Sequence, residues 1–331
     1  MIKKYRDSPP PEEGDIFPEG PGAPSTSDGP SSEGYIDAMR GVSGRTIRLE
    51  MWWEHQRLAV GSGFIATYGG ENFLVTARHN LSGRDWPSNA LMSEWSVEPD
   101  RVVMKMQVAA AGVLAWSDRA VRVLGDDGAP LWYEHPTLGR GADIAVLPLE
   151  DDEQWFVDAF DIAKPDAEHE PMLSAGDDLF VVGFPRGFTP YVGLPIWTRA
   201  SVASEPALDY DNRPMYLVDA RTRKGHSGSP VVLRPGRGRT VRMRDGSDHT
   251  TSIDDSWVAG LYSGRVRISG ENEPGQADQA CAAPPETLDI GLVWKTSAIL
   301  STVSGRTRFP AEGSGPPTWE PAEDWWLPDA D

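Results

Sequence analysis

The stretch Thr46-Ile-Arg-Leu-Glu-Met-Trp alternates apolar and polar positions, with Ile47, Leu49 and Met51 on one side, and a period of two marks a half-buried strand. Gly61-Ser-Gly-Phe-Ile-Ala-Thr and Asn72-Phe-Leu-Val-Thr-Ala follow, and Tyr68-Gly-Gly-Glu between them predicts a hairpin closed by a Gly-Gly turn. Further short strands are predicted at Arg101–Val108, Ala120–Leu124 and Asp143–Leu149, each bounded by Gly, Pro, Asp or Asn. Residues 150–170 turn acidic and mixed, and read as the connection between two halves. The strand pattern then resumes at Asp178–Phe184, Arg199–Ala203, Pro214–Asp219, Val231–Leu233, Ser256–Tyr262 and Asp289–Trp294. Arg234–Asp255, charged and glycine-bearing, reads as an exposed hairpin or loop. Only Thr296-Ser-Ala-Ile-Leu-Ser-Thr-Val has helical spacing, with Ile299, Leu300 and Val303 on one side. Many short strands without a long helical pattern predict an all-β sandwich or barrel rather than a parallel α/β sheet.

Composition changes this picture at the ends. Residues 1–34 are dominated by Pro, Gly, Ser and acids, too few apolar groups to offset chain entropy, so a disordered polar tail is expected. After Ser304 the text is again Pro-rich and acidic, and residues 306–331 form a tail carrying Trp319, Trp325 and Trp326. Three tryptophans are costly to expose, so the segment reads either as packing on its own domain or as a partner-binding or autoinhibitory tail. Between the tails, residues 35–305 make one domain of two halves, about 45–165 and about 171–305. The single cysteine, Cys281, permits no intrachain disulfide. No apolar stretch follows the basic start, and no run of about 18 apolar residues occurs anywhere, so a cytoplasmic protein is expected. A net charge of -19 disfavours nucleic acid and membrane as partners.

The chemistry gathers at Arg223-Lys-Gly-His-Ser-Gly-Ser-Pro-Val231, where a serine stands between glycines in a turn leading to a strand. A serine hydroxyl is a weak nucleophile until a base takes its proton and a third group orients that base. Of the six histidines, His55, His135, His169 and His249 lie among charged or turn residues and read as solvated. His226 adjoins Ser227, and neighbours on a turn point apart. His79 stands at the end of a strand, in Thr76-Ala-Arg-His, where its side chain can enter a cleft. Asp143 heads an apolar strand after the Gly139-Arg-Gly-Ala turn, where a carboxylate is costly unless partnered.

The strings Gly61-Ser-Gly-Phe, Thr76-Ala-Arg-His79, Asp143-Ile-Ala-Val-Leu147, Gly183-Phe-Pro-Arg-Gly187 and Gly225-His-Ser-Gly-Ser-Pro230 resemble, in order, the signatures of trypsin-like (chymotrypsin-fold) serine proteases, especially bacterial envelope-stress proteases and their intracellular relatives. The resemblance spans residues 45–305 and implies two packed antiparallel six-stranded β-barrels with a short C-terminal helix. It implies a serine endopeptidase without metal or cofactor, acting on protein or peptide substrates through His79, Asp143 and Ser227, with the N–H groups of Gly225 and Ser227 as oxyanion hole. Arg221, Lys224, Ser263, Gly264 and Arg265 would bind substrate, and an arginine at position 221 would favour acidic side chains.

Two departures qualify the resemblance. His226 replaces the aspartate that precedes the nucleophile in digestive members, which speaks against activation by N-terminal insertion. Ser229 replaces the usual second glycine. A cytoplasmic protease must be restrained, so narrow specificity or an activating protein partner is expected. The rival reading is a catalytically silent trypsin-fold module that binds protein. An α/β-hydrolase esterase would need the order Ser, Asp, His, and zinc hydrolysis a His-Glu-x-x-His string, and neither is present.

Overall fold

The computed structural model describes residues 41–309, apart from 87, 111–112, 153–154, 163–169, 191–192 and 269–285. The expected disordered N-terminal stretch, Cys281, His169 and the three C-terminal tryptophans lie outside the described residues. The fold is all-β. In the first half, β1 (Thr46–Trp53), β2 (Gln56–Tyr68), β3 (Glu71–Thr76), β4 (Arg101–Ala110), β5 (Val113–Arg122) and β6 (Ala145–Leu149) lie in the order β5-β4-β1-β2-β3-β6. In the second half, β9 (Asp178–Gly183), β10 (Ile196–Val202), β11 (Met215–Ala220), β12 (Pro230–Leu233), β15 (Trp257–Ile268) and β16 (Glu286–Lys295) close a six-stranded barrel. The first sheet curls as a half-barrel whose ladder does not close.

The hairpin expected at Tyr68-Gly-Gly-Glu is formed: Tyr68 pairs with Glu71, and Gly69 and Gly70 have φ of 61° and 84°, which suits a two-residue primed turn. Among its described residues, the connection between the halves carries strand pairing that its acidic text does not announce. Two short strands within it, β7 (Trp155–Phe156) and β8 (Phe160–Asp161), pair with β4 and β2, and Phe160 is buried edge-on to Phe64. Isolated apolar residues in a charged stretch give no periodicity, which hid them. The charged stretch 234–255 contains a hairpin, β13 (Thr240–Arg242) with β14 (Asp248–Thr250).

One apolar core lies within each half, and a third joins them. The joining core includes Phe64, Phe73 and Val146 of the first half and Val182, Val232, Leu261 and Trp294 of the second. Three short α-helices, α1 (Val42–Arg45), α2 (Arg78–Ser82) and α3 (Thr296–Gly305), and two 3-10 turns, Pro185–Gly187 and Tyr210–Asn212, complete the described chain. Helix α3 buries Ala298, Ile299 and Val303 in the joining core, as its spacing foretold, whereas Leu300 is only partly buried. Among the described residues no helix is long and apolar enough to cross a membrane.

Candidate active site

His79 lies on α2, not at a strand end. Strand β3 ends at Thr76, Ala77 stays extended, and the helix starts at Arg78 and closes on Gly83, whose φ of 66° lets its N–H donate to the His79 carbonyl. The helix is too short for its spacing to register in sequence. A buried ion pair braces it, with Arg78 Nε 2.8 Å from Glu134 Oε1, to which Trp132 Nε1 also donates at 3.1 Å.

The turn before β6 brings Asp143 to His79. The His79 N–H donates to Asp143 Oδ1 at 2.9 Å, and His79 Nδ1 lies 2.8 Å from Oδ2. A carboxylate only accepts, so Nδ1 carries the proton and Nε2 presents a lone pair. Ser263 Oγ donates to the same Oδ2 at 2.5 Å. Asp143 is 1% exposed, and the His79 side chain 16%. Burial pushes the Asp143 carboxyl up, but the imidazole charge and the hydrogen bonds of His79 and Ser263 outweigh it and leave it below its ordinary value.

Ser227 is half-buried, in a turn pressed against the first half. Its carbonyl accepts from the Ser62 N–H at 3.0 Å and from Asn80 Nδ2 at 2.9 Å, which seats the serine beside the neighbour of His79. Glycines permit this approach. Gly225 has φ of 99°, and a Cβ there would lie 2.4 Å from the Phe184 carbonyl oxygen. At Gly228, φ 87°, a Cβ would lie 2.0 Å from the Ser62 carbonyl oxygen.

The N–H groups of Gly225 and Ser227 belong to the 224–225 and 226–227 peptides. The carbonyls of those peptides accept from the N–H groups of Arg186 at 2.6 Å and Ser229 at 2.9 Å. In a trans peptide the N–H points opposite to the carbonyl, so both N–H groups face away from these partners. Among the described residues neither has an acceptor.

The remaining candidates separate. Arg221 and Lys224 are exposed, and Thr222 is the buried member of that stretch, hydrogen-bonded to Tyr262 Oη. Arg221 therefore does not form the base of a buried pocket. Ser263 is buried behind Asp143: β15 slips in register against β16 between Tyr262 and Gly264, and the bulge turns its hydroxyl inward. Gly264 borders open space. Arg265 donates to the Thr222 carbonyl and lies 3.5 Å from Asp289.

Two histidines differ from the sequence reading or extend it. His135, expected to be solvated, is buried, and its Nδ1 accepts from the N–H of Leu138 at 3.3 Å, closing the loop before Asp143. His226 points away from Ser227 into the second barrel, where Nε2 lies 3.1 Å from Thr198 Oγ1. Burial pushes its pKa down, and the charges of Arg223 and Arg265 add to that against one opposing backbone hydrogen bond. Among the described residues no group of three or more His, Cys, Asp or Glu side chains is placed to hold a metal ion.

A sequence model of the trypsin-like peptidase domain matches residues 61–239, more than half of the chain. The chain belongs to that family. Among solved structures, this trypsin-like peptidase is similar to the Rv3671c protease of M. tuberculosis in its inactive form, at 14% identity and a TM-score of 0.37, over 80% of this chain and 90% of that one. It is likewise similar to the serine endoprotease of Yersinia pestis, at 14% identity and a TM-score of 0.41, over 82% and 65% of the two chains. No curated protein sequence matches the chain significantly.

Sequence reasoning missed Ser62, Thr76 and Asn80, which tie the Ser227 turn to the first half. Their one signal is the small-residue string Gly61-Ser-Gly63: a Cβ at Gly61 would lie 2.7 Å from Asn80 Nδ2.

Proposed function

We propose that the chain is a serine endopeptidase that cleaves peptide bonds through His79, Asp143 and Ser227. The observation that carries this reading is the doubly hydrogen-bonded His79–Asp143 pair, beside a turn that seats Ser227 against Asn80. Ser227 Oγ attacks the scissile carbonyl carbon while His79 Nε2 takes its proton, and Asp143 holds the imidazolium that forms. The N–H groups of Gly225 and Ser227 receive the developing oxyanion, an arrangement worth about 2.7–4 kcal/mol per donor. The imidazolium protonates the departing amine. Water, deprotonated by His79, then attacks the acyl-enzyme and releases the carboxylic acid and Ser227.

Substrate would lie along Ser263, Gly264 and Arg265, with Arg221 and Lys224 at the approach to the turn. Exposed cations there favour acidic residues near the cut, and profiling a peptide library tests this. Cleavage without enrichment of Asp or Glu would remove the acidic preference while leaving the peptidase reading intact. A regulated bacterial intracellular protease of narrow specificity is the setting this reading suits.

The decisive experiment is labelling with an active-site serine phosphonate. One adduct on the wild type, lost in Ser227→Ala, is expected. No adduct on the wild type would favour a silent protein-binding module.

A further inference from the structure

The turn carrying Ser227 is held by more than its own chain. Ser62, on β2 and fully buried, donates its hydroxyl to the Gly225 carbonyl at 2.6 Å and accepts from the Phe184 N–H at 3.0 Å. Its backbone N–H donates to the Ser227 carbonyl at 3.0 Å. Asn80, also buried, donates to the same carbonyl at 2.9 Å and to Thr76 Oγ1 at 2.9 Å, and Thr76 Oγ1 in turn donates to the Ser62 carbonyl at 2.7 Å. With Arg186 on the Lys224 carbonyl and Ser229 on that of His226, all four carbonyls from Lys224 to Ser227 have donors. Two of the four are held from the first half.

We propose that Ser62 and Asn80 are positioning residues that fix the oxyanion turn from across the two halves, so that the hole stands assembled in the resting protein. This rests on the peptidase reading above. The physical ground is that reversing the 224–225 peptide would withdraw the Gly225 N–H and break the Arg186 bond. Rotation about Gly225 is opposed by the Ser62 hydroxyl, and rotation about Ser227 by the Ser62 N–H and the Asn80 amide. A buried acceptor stripped of its donor is costly, so each bond resists a change of peptide plane. Pre-aimed donors serve the transition state because they need no reorganisation when charge develops. Gly61 and Gly228 leave room for the clamp, since side chains there would strike Asn80 and the Ser62 carbonyl.

The test compares wild type with Ser62→Ala and Asn80→Ala, on a cleavable peptide and a peptide aldehyde that mimics the tetrahedral state. A positioning role predicts kcat lower by about 10- to 100-fold in each variant, with KM within about twofold and aldehyde affinity falling in parallel with kcat. Amide hydrogen exchange is the second readout and needs no activity. In the wild type the N–H groups of Gly228 and Ser229, bonded to Tyr262 and His226, are protected, and both variants lose that protection while β9 and β12 keep theirs. If an alanine variant does not fold, Ser62→Cys and Asn80→Ser are read the same way. A lower melting temperature with unchanged kcat, or unchanged exchange at Gly228 and Ser229, overturns the proposal. A wild type that takes no phosphonate label defeats the peptidase reading instead, and leaves the exchange result to judge the clamp.

Discussion

Asp143→Asn tests the charge arrangement with almost no change of shape. The carboxylate spends Oδ1 on the His79 N–H and Oδ2 on both His79 Nδ1 and Ser263 Oγ. An asparagine has one oxygen and one NH2, and the NH2 cannot face the backbone N–H 2.9 Å away without opposing donor to donor. The amide oxygen therefore stays at the Oδ1 site and the NH2 takes the Oδ2 site. There it donates to Nδ1, driving the imidazole proton to Nε2, where no lone pair remains to receive the Ser227 proton. The expected cost is about 10,000-fold in kcat, or roughly 5.4 kcal/mol, with KM nearly unchanged. Steady-state turnover of a peptide and the rate of phosphonate labelling both read it, and thermal unfolding checks that the fold persists. A variant that folds and keeps more than about a tenth of wild-type kcat would refute the tautomer argument.

Other perturbations probe the frame. His226 has a folded pKa below its ordinary value of 6.5, so the unfolded chain binds the proton first. Stability from this group is complete above pH 6.5 and declines as pH falls towards the folded pKa; His226→Gln should flatten the melting temperature between pH 5 and 7, and an unchanged slope would show that His226 does not titrate on unfolding. His135, lowered by burial, adds to the slope with the same sign. Glu134→Ala strands Arg78 beside Trp132 and should cost about 3–5 kcal/mol in urea unfolding, whereas under 1 kcal/mol would mean that water reaches the guanidinium. Gly228→Ala must place a methyl where the Ser62 carbonyl stands, at a φ unfavourable to alanine, and should abolish phosphonate labelling; normal labelling would show that the turn can move aside.

The strand text was legible because period-two alternation survives wherever one face is buried. Ile47, Leu49 and Met51 are buried as their spacing implies, and the Gly69-Gly70 hairpin follows from turn chemistry. His79, Asp143 and Ser227 stood out because each sits in a short string of small and apolar residues. Their partners did not. Ser263, expected to bind substrate, instead reaches Asp143 through a bulge, and a bulge leaves no mark in the strand text. Asn80 meets Ser227 across 147 positions of chain, a contact set by packing of the halves rather than by any local pattern. His135 misled because Pro136 and Thr137 beside it mark a turn and are indeed exposed, while the His135 ring alone folds beneath them to accept from the Leu138 N–H.

The bonding around Ser227 also bears on how the proposed peptidase would be held in check. With the four carbonyls of the turn occupied, a switch that rearranges the turn would have to break buried hydrogen bonds in both halves together. His226 is buried, and an imidazole carries no negative charge in either protonation state, so the position before Ser227 offers no anion for a newly exposed α-ammonium to pair with. On the proposed peptidase reading, discrimination would then lie at the approaches to the turn. Arg186, Arg221 and Lys224 are exposed, and among the described residues none of them pairs with a carboxylate, although the chain carries a net charge of -19 and Arg265 nearby lies against Asp289. On the proposed peptidase reading, cations that no described carboxylate engages would meet an incoming acidic segment without first giving up a pair with a described residue.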